Sequence, residues 1–361
     1  MSKKKHPVIK AVLGTGLAVI VTGVGFVVWF GREENHRFQT AVTANDYSRI
    51  LQENISGNPR VADIAMLCAH DAFSNKITGE SALDPGSSTQ ILGNPLAKAI
   101  AKGVFARQAK AQKSDAYLLA QRGVRYFDTR VCWDGTQWQN LHSFISAPFE
   151  ENLRYVLRFL AENPGELLVI DIQHHSTGNL TSADMLDFIG TVKDEDGKSL
   201  WDYVRFDPNV TALGDLRWQD ATNGGAGVIV LVKTPQVPGG KYYEYSDNTV
   251  RAEWHNKPDI PSLVAGIESE YAYLTENFEQ YKNAFRSNQA QSTPPLNLDA
   301  ISYWSILRAA EDSNTAILAH PDFDKWLSVM PIIWVNNADT MVNGFNDEIV
   351  LRLNAYNRNL K

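Results

Sequence analysis

Short apolar segments and amphipathic segments alternate along most of the chain. The apolar segments predict five buried strands: Ile64–Cys68, Val124–Val131, Leu167–Ile172, Gly227–Val232 and Ile332–Val335. Phe149–Glu162 has the spacing of an amphipathic helix that stops at the turn sequence Asn163-Pro164-Gly165, and Leu263–Phe285 is predicted to be a longer helix. Nearly continuous apolar strands separated by helices are typical of a parallel sheet covered on both faces. The pattern therefore predicts an α/β fold. Residues 46–361 are enough for a TIM-type (β/α) barrel with insertions and distortion, since such barrels commonly use about 250 residues.

The N-terminal 45 residues have a different pattern. Residues 11–30 carry no charged side chain, and their number matches the roughly 20 residues that cross a bilayer as a helix. A basic tail precedes this run at residues 1–10, and a polar linker follows it at residues 31–45. Because lysines keep the end that bears them in the cytoplasm, we expect a single-pass membrane protein with a cytoplasmic N-terminus. Residues 46–361 are then expected in the periplasm, in a lumen or outside the cell.

Two other interpretations of residues 11–30 compete with a membrane anchor. A cleaved signal peptide has a shorter apolar core followed by a small-x-small site, whereas this run ends in the bulky sequence Val27-Val28-Trp29-Phe30. A helix buried in a folded domain does not need flanking charges as asymmetric as these. The anchor is the favoured expectation.

Segment 91–113 is a second candidate for membrane contact, because it has no acidic residue and five basic ones: Lys98, Lys102, Arg107, Lys110 and Lys113. As a helix, this segment places basic side chains opposite an apolar side, which suits an anionic membrane surface. The alternative is a helix that caps one end of the barrel and keeps its basic face in water.

Charge and cysteine content exclude several classes of function. The formal net charge is −7, and without the four lysines of the tail the chain has 30 basic and 41 acidic residues. Such an acidic body lacks the basic surface that binds nucleic acid. Cys68 and Cys132 are the only cysteines, so a disulfide framework is excluded, whereas a single bridge stays open. The sequence has no zinc-binding pattern.

Ionisable residues cluster where three of the predicted strands end. His70-Asp71 follows the first strand, Asp128 and Arg130 lie at the end of the second, and His142 follows twelve residues later. Gln173-His174-His175 ends the third strand. Catalytic residues of barrel enzymes lie at the carboxyl ends of the strands. A single histidine is more often structural than catalytic, but this combination favours an active site.

Several of these segments resemble the phosphatidylinositol-specific phospholipases C. The resemblance is most specific in the block Gln121–Arg130, which is similar to the second strand of that family. Ala69-His70-Asp71 resembles the end of its first strand, Leu141-His142 falls where the family has its second histidine, and Glu166–Ile172 is similar to its next strand. The resemblance covers about residues 63–176 and is thin beyond them. It implies a phosphoric diester hydrolase or lyase that acts on phospholipids.

The resemblance implies roles for five residues. His70 is expected to be the general base that takes the proton of the inositol 2-hydroxyl, and His142 the general acid that protonates the diacylglycerol oxygen; histidine suits both roles because its pKa is near neutral. Arg130 is expected to hold the phosphate oxygens. Asp71 and Asp128 are expected to orient His142 and Arg130. Since the attacking hydroxyl belongs to the substrate, the reaction needs no nucleophilic side chain.

Further residues are assigned by position in the same family. The candidates for contact with the substrate are Lys233, Glu253, His255 and Gln173. The acid that orients the first histidine lies near the last strand in this family, and the candidates here are Asn336 and Asp339, between which the sequence does not choose. The glycine that follows the second histidine in the family is Ser143 in this chain.

The same comparison bears on metal use. The eukaryotic branch of the family binds calcium at positions that match Asp71, Asp128, Arg130 and Gln173. Arg130 places a cation where a ligand is required, and Gln173 lacks the charge of an acid, whereas calcium needs several oxygen ligands. We therefore expect the metal-independent, bacterial-type arrangement, with no cofactor and no metal ligands.

Three functions remain open from the sequence alone. The first is cleavage of phosphatidylinositol-type lipids, the second is hydrolysis of another phosphodiester by the same kind of barrel, and the third is a non-catalytic, membrane-tethered lipid-binding module. Retention of both histidines together with Arg130 argues against the third. A glycerophosphodiester phosphodiesterase needs a His-Arg start and metal-binding acids, and the sequence has neither.

Overall fold

Ten strands form one sheet within residues 45–85, 103, 105–293 and 305–361, which are the residues that a computed structural model of the chain describes. In chain order the strands are β1 Met66–Ala69, β2 Val124–Trp133, β3 Trp138–His142, β4 Phe144–Pro148, β5 Leu167–Ser176, β6 Gly227–Val232, β7 Tyr243–Glu244, β8 Val250–Arg251, β9 Phe285–Gln289 and β10 Ile332–Val335.

Eight of these strands run parallel and follow one another around a curled sheet. β1, β2, β5, β6 and β7 are successive neighbours, as are β8, β9 and β10, and β10 pairs with β1. Among the described residues, β7 and β8 do not pair with each other, so the sheet is open at that seam. The predicted α/β fold with a parallel sheet is confirmed in this form, a curled sheet with one open seam.

β3 and β4 form an antiparallel hairpin on the carboxyl half of β2. β3 pairs with β2 from Val131 to Trp133, and β4 pairs only with β3. The hairpin is an extension beyond the barrel strands, and it brings His142, the last residue of β3, back toward the end of β1.

Helices connect the strands. The α-helices that lie wholly within the described residues are Ile50–Asn54, Ala116–Gln121, Phe149–Glu162, Ser182–Thr191, Leu200–Tyr203, Trp218–Thr222, Ile260–Glu276, Phe278–Tyr281, Ile306–Leu318, Phe323–Val329 and Phe345–Asn357. Phe149–Glu162 has the predicted bounds, and its apolar residues Leu153, Val156 and Leu157 are buried because they lie on one face of the helix.

The predicted helix Leu263–Phe285 is wrong in its second half. The helix ends at Glu276, a short helix Phe278–Tyr281 follows, and β9 begins at Phe285. β9 was missed because its buried residues include Arg286, Ser287 and Asn288, so the strand has no apolar pattern.

The predicted membrane localisation is wrong. No helix of the described residues is long and apolar enough to cross a membrane. The longest, Ile260–Glu276, has 17 residues with three glutamates among them, and a helix of that length measures about 25 Å against a hydrocarbon layer of about 30 Å. The proposed tail at residues 1–10, the span at 11–30 and the linker up to residue 44 lie outside the described residues, as does segment 91–113 except for residues 103 and 105–113.

A candidate active site with two histidines

His70 lies directly after β1, at the carboxyl end of the parallel strands. Its Nδ1 is 2.7 Å from Oδ2 of Asp128, which lies on the neighbouring strand β2. The same carboxylate oxygen accepts the backbone N–H of Asp71 at 3.2 Å. Since Asp128 is fully buried, its carboxylate fixes the ring orientation of His70 and favours the tautomer with hydrogen on Nδ1.

The carboxylate of Asp71 lies among three cationic or basic groups. Oδ1 is 2.7 Å from Nε of Arg130, while Oδ2 is 3.1 Å from Nε2 of His70 and 3.2 Å from Nδ1 of His142. Burial opposes ionisation of Asp71, but the charges of Arg130 and the two histidines hold its pKa at about 2. Asp71 is therefore a permanent anion at the centre of the site.

His142 is held by a different kind of partner. Its Nδ1 donates to the backbone carbonyl oxygen of Ala109 at 2.8 Å, so Nδ1 carries hydrogen and Nε2 is the nitrogen that can exchange a proton. The next residue, Ser143, has φ of +59°, in the left-handed region that glycine adopts at low cost. This conformation gives a physical reason for the glycine that the resemblance places there.

The two imidazoles face one cavity. Their ring centroids are 6.2 Å apart with 70° between the ring planes. Both rings line a cavity of about 700 Å³, and Arg130 lines it beside them. The side chains of His70 and His142 are only 12% and 18% exposed, so both imidazoles are largely shielded from water.

The pKa values of the two histidines shift in opposite directions. For His70, burial opposes protonation, but the charge of Asp71 and the hydrogen bond to Asp128 outweigh it, so the pKa is raised. For His142, burial is the largest influence and Arg130 adds to it, so the pKa is lowered although Asp71 opposes the change. Environments that separate the pKa values of two neighbouring groups are typical of an acid–base pair.

The structure brings some of the other predicted residues to this cavity. Gln173, Lys233 and Asn336 line it, together with His174, the next residue after Gln173. Asp339 instead accepts a hydrogen bond from the hydroxyl of Ser114. The partner of His70 Nδ1 is Asp128 rather than either candidate near the last strand.

Glu253 and His255, predicted to contact the substrate, do not line the cavity. The exposed carboxylate of Glu253 lies 3.4 Å from Nη2 of Arg251. His255 packs against Gly266, and burial lowers its pKa to about 4. Trp254, between them, lines the cavity.

Other cavity residues were missed from the sequence. Trp334 lines the cavity from β10, Gln291 from just beyond the end of β9, and Tyr245 from just beyond the end of β7. Tyr245 donates a hydrogen bond to Asp171, whose pKa burial and the charge of Asp128 raise to about 8. The pattern of β10 predicted a buried strand but could not show that the Trp334 side chain turns into the cavity.

His70, Asp71 and Asp128 also form a group that can be compared with metal sites. Each offers one ligand atom, and these atoms lie within 4.8 Å of one another. The arrangement fits a divalent ion poorly, because the Arg130 guanidinium already lies against Asp71 and the Asp128 carboxylate is engaged by His70. Independence from metal stays a prediction. Cys68 and Cys132, whose pairing the sequence left open, are both buried and free.

The fold and the site together define an α/β protein with a two-histidine, one-arginine centre at the carboxyl edge of a curled parallel sheet. No protein-family model and no curated protein matches the chain. Solved structures do resemble it. A pentafluoro-phenylalanine variant of the phosphatidylinositol-specific phospholipase C from Staphylococcus aureus has a TM-score of 0.61 and 12% identity, with 85% of this chain and 97% of that chain covered.

The enzyme of the same name from Listeria monocytogenes is also similar, with a TM-score of 0.57, 15% identity, and 86% and 98% of the two chains covered. Another S. aureus structure, from work on modulation of the enzyme's membrane binding, has a TM-score of 0.58 and 12% identity over 86% and 97% of the chains. At these identities the likeness shows a shared fold.

Proposed function

We propose that this protein cleaves phosphodiesters of the phosphatidylinositol type by acid–base catalysis between two histidines. The observation that carries the proposal is the 6.2 Å separation of the His70 and His142 rings in one cavity that Arg130 also lines. The similarity of the fold to bacterial phosphatidylinositol-specific phospholipases C supports the choice of substrate class.

His70 is the general base of the proposed mechanism. With hydrogen on Nδ1 and Asp128 accepting it, the lone pair that can take the proton of a substrate hydroxyl is on Nε2, which lies 3.1 Å from Oδ2 of Asp71. Asp128 and Asp71 then stabilise the imidazolium that forms, which is why the pKa of His70 is raised. A raised pKa makes His70 a stronger proton acceptor.

His142 is the general acid. Its Nδ1–H is fixed on the carbonyl of Ala109, so the proton that leaves comes from Nε2. Burial and the charge of Arg130 lower the pKa of His142, which makes the protonated ring a stronger donor to the departing alkoxide. These roles require His70 neutral and His142 protonated. This is the less populated of the two singly protonated forms, because the pKa of His70 is raised and that of His142 is lowered.

Arg130 stabilises the charge that develops on the phosphoryl oxygens. Its Nε is engaged by Asp71 at 2.7 Å, and the side chain lines the cavity, where its guanidinium would meet the phosphoryl oxygens. The bond to phosphorus forms from the hydroxyl next to the phosphate on the substrate itself, and the bond to the lipid oxygen breaks. A cyclic phosphate is the first product, and the proximity of hydroxyl and phosphate lowers the barrier.

Product analysis with phosphatidylinositol vesicles tests this function directly. We expect diacylglycerol and a cyclic inositol phosphate in the first turnovers. A phosphomonoester that takes its oxygen from labelled water, with no cyclic intermediate, would instead support hydrolysis of the phosphodiester by water. No turnover of any phosphodiester would support a lipid-binding module.

Substrates with different leaving groups distinguish the roles of the two histidines. His70→Ala and His142→Ala should each lower turnover of phosphatidylinositol on the order of 10²- to 10⁴-fold. With a nitrophenyl leaving group, which needs no protonation, His142→Ala should recover most of the rate and His70→Ala should not. The opposite pattern would exchange the two roles, and wild-type rates in either variant would remove that histidine from the mechanism.

A further inference from the structure

A single segment between β1 and β2 makes hydrogen bonds to both proposed catalytic histidines. The carbonyl oxygen of Ala109 accepts the hydrogen bond from Nδ1 of His142 at 2.8 Å. Three residues further on, Nε2 of Gln112 donates to the backbone carbonyl oxygen of His70, also at 2.8 Å. Residues 109–112, which we call the linking segment, therefore connect the turn after β1 to the last residue of β3.

The side chain of Gln112 is bonded entirely to backbone groups. Nε2 donates to the carbonyl oxygens of His70 and Val335, the latter at 3.0 Å, and Oε1 accepts the N–H of Ala338 at 2.9 Å. Val335 is the last residue of β10, so the amide continues the connection between β1 and β10 beyond the point where both strands end. Among the standard side chains, only an amide has two donors on one atom and an acceptor on the other.

The backbone of the linking segment is itself held on both sides. Oγ of Ser74, in the turn after β1, accepts the N–H groups of Ala111 and Gln112 at 3.0 and 3.1 Å. The carbonyl oxygen of Ala111 accepts the N–H of Asn337, in the loop after β10, at 2.8 Å. Ser74 and Gln112 are both buried, so these hydrogen bonds are shielded from water and fix the place from which Gln112 reaches His70.

The other end of the linking segment packs against the hairpin that carries His142. Ala109 and Ala106 form a small buried apolar cluster with Ile77 and Phe144. Phe144 is the first residue of β4 and lies two residues after His142. The carbonyl that holds the His142 ring is therefore fixed by packing to the same hairpin.

Gln112 has no access to a substrate. Its side chain is 0% exposed, and it is not among the described residues that line the cavity. It can therefore affect a reaction in the cavity only through the residues that it holds. Such an effect can be large, because a misplacement of about 1 Å in a catalytic group can cost about 10²-fold in rate.

We propose that Gln112 is a positioning residue, which together with the Ala109 carbonyl fixes His70 and His142 relative to each other. The 6.2 Å between the two rings is then set by the linking segment as well as by the strands that carry the histidines. The catalytic meaning of this inference rests on the proposed function, whereas the geometry that it describes can be tested without turnover.

NMR of labelled imidazoles tests the geometry in Gln112→Met, which keeps the charge and nearly the shape of the side chain but removes its three hydrogen bonds. The ionisable groups nearest to His70 are Asp71 from its own turn, Asp128 and Arg130 from β2, and His142 from β3. The substitution changes none of these charges, so a shift in a histidine pKa reports a change of geometry. We expect the pKa of His70 to fall, because a loosened turn weakens the hydrogen bond to Asp128.

Asn357→Leu is the matched control. Asn357 is also a buried amide, and it makes two hydrogen bonds to the backbone of Ala65 at the opposite end of β1. The control should lose stability and keep the pKa values of both histidines. An unchanged pKa of His70 in Gln112→Met, or an equal fall in the control, would overturn the proposal.

Turnover of phosphatidylinositol gives the second measurement. Gln112→Met should lower kcat by about 10- to 100-fold and leave KM close to that of the wild-type protein, because the side chain holds the base without touching the substrate. A wild-type kcat per folded molecule, or a change confined to KM, would show that Gln112 does not position the catalytic groups.

Ser74→Ala repeats both measurements if Gln112→Met does not fold, which circular dichroism shows. This variant removes the acceptor that holds the linking segment and leaves the amide of Gln112 in place. It should change the pKa of His70 and kcat in the same directions by smaller amounts. Wild-type values of both in Ser74→Ala would contradict the proposal.

The positioning role and the proposed function fail in different ways. If the wild-type protein cleaves no phosphodiester but Gln112→Met lowers the pKa of His70, the proposed function fails and the positioning role stands. If the wild-type protein cleaves phosphatidylinositol and Gln112→Met keeps its kcat and both pKa values, the function stands and the positioning role is wrong.

Discussion

Asp128, in the middle of β2, connects that strand to the two residues that follow β1. It accepts hydrogen bonds from Nδ1 of His70 and from the backbone N–H of Asp71, so one carboxylate oxygen sets both the ring and the turn that carries it. The turn has a cost, since Asp71 has φ of +44°, which is uncommon for a residue with a side chain. Backbone strain of this kind is common at functional sites, and Asp71 directly follows the proposed base.

Asp128→Asn should move one limb of the pH profile. The active enzyme carries one proton on the two histidines, and the shifted pKa values put it mostly on His70. The alkaline limb of kcat/KM, where this single proton is lost, therefore follows the pKa of His70. Asparagine keeps the shape but removes the charge that favours the imidazolium. The pKa of His70 therefore falls and the alkaline limb moves to lower pH, while the acid limb stays. We expect activity to fall on the order of 10²-fold or more.

Asp339→Asn is the matched control, because Asp339 faces Ser114 instead of the cavity. It should leave both limbs of the profile unchanged. A shift of the alkaline limb in Asp339→Asn but not in Asp128→Asn would restore Asp339 as the residue that orients the base.

Removal of metal ions should leave activity unchanged. Oδ1 of Asp71 is already 2.7 Å from the Arg130 guanidinium, which places a positive charge beside any cation held there. Turnover is measured after dialysis against a strong chelator, and again after calcium is added back. Loss of activity that calcium restores would show that His70, Asp71 and Asp128 bind a metal after all.

At the scale of residues, the sequence predicted the parts of the site but not their pairing. His70, Asp71, Asp128 and Arg130 stand in local motifs, so they could be found without coordinates. The partner of His70 could not, because β1 lies between β2 and β10 and either neighbour can place a polar side chain beside it. Distances alone distinguish Asp128 from Asn336.

At the scale of elements, a buried ion pair joins two strands to a helix at the opposite end of the sheet from the cavity. Arg125 at the start of β2 lies 2.6 Å from Glu166, which directly precedes β5, and both side chains are fully buried. Glu166 also accepts the backbone N–H groups of Leu51 and Gln52 in the helix Ile50–Asn54. One carboxylate therefore satisfies donors from two other elements.

Glu166→Ala should lower the free energy of unfolding by about 3–5 kcal/mol, because it leaves a buried guanidinium without its anion. Glu150→Ala is the control, since Glu150 and Arg154 form a pair of similar length, 2.7 Å, with side chains 49% and 57% exposed. That variant should lose less than about 1 kcal/mol. Urea unfolding gives both values, and equal losses would contradict the role of burial.

Element prediction succeeded where the apolar pattern was continuous. β6 and β10 have their predicted bounds because every residue in them is buried and apolar or glycine. β7 and β8 are two residues long, too short for any pattern, and β9 is buried but polar. The hairpin β3–β4 was also missed, although it carries His142.

At the scale of the whole molecule, the last helix is tied to the backbone just before β1. The side chain of Asn357 donates to the carbonyl of Ala65 at 3.0 Å and accepts its N–H at 2.8 Å, across 292 residues of sequence. Ala65 directly precedes β1, and β1 pairs with β10. Asn357 thus supplies the hydrogen bonds that a neighbouring strand would otherwise give to this residue.

Asn357→Leu should destabilise the protein by about 1–3 kcal/mol for each of the two backbone groups left without a partner. Asn359→Ala, an exposed change two residues further on, should stay within about 0.5 kcal/mol of the wild-type protein. Urea denaturation followed by tryptophan fluorescence compares the two. A small effect in Asn357→Leu would mean that β1 and β10 hold together without the last helix.

The open seam between β7 and β8 bears on whether two copies of this protein can associate through the edges of their sheets. A strand edge with free N–H and C=O groups is a template on which another chain can add a strand, and closed barrels avoid this by having no edge. Here each strand that borders the seam is only two residues long. Two residues leave almost no free backbone on which an incoming strand could pair. The sheet is not closed, so it is the shortness of these two strands that protects it from self-association.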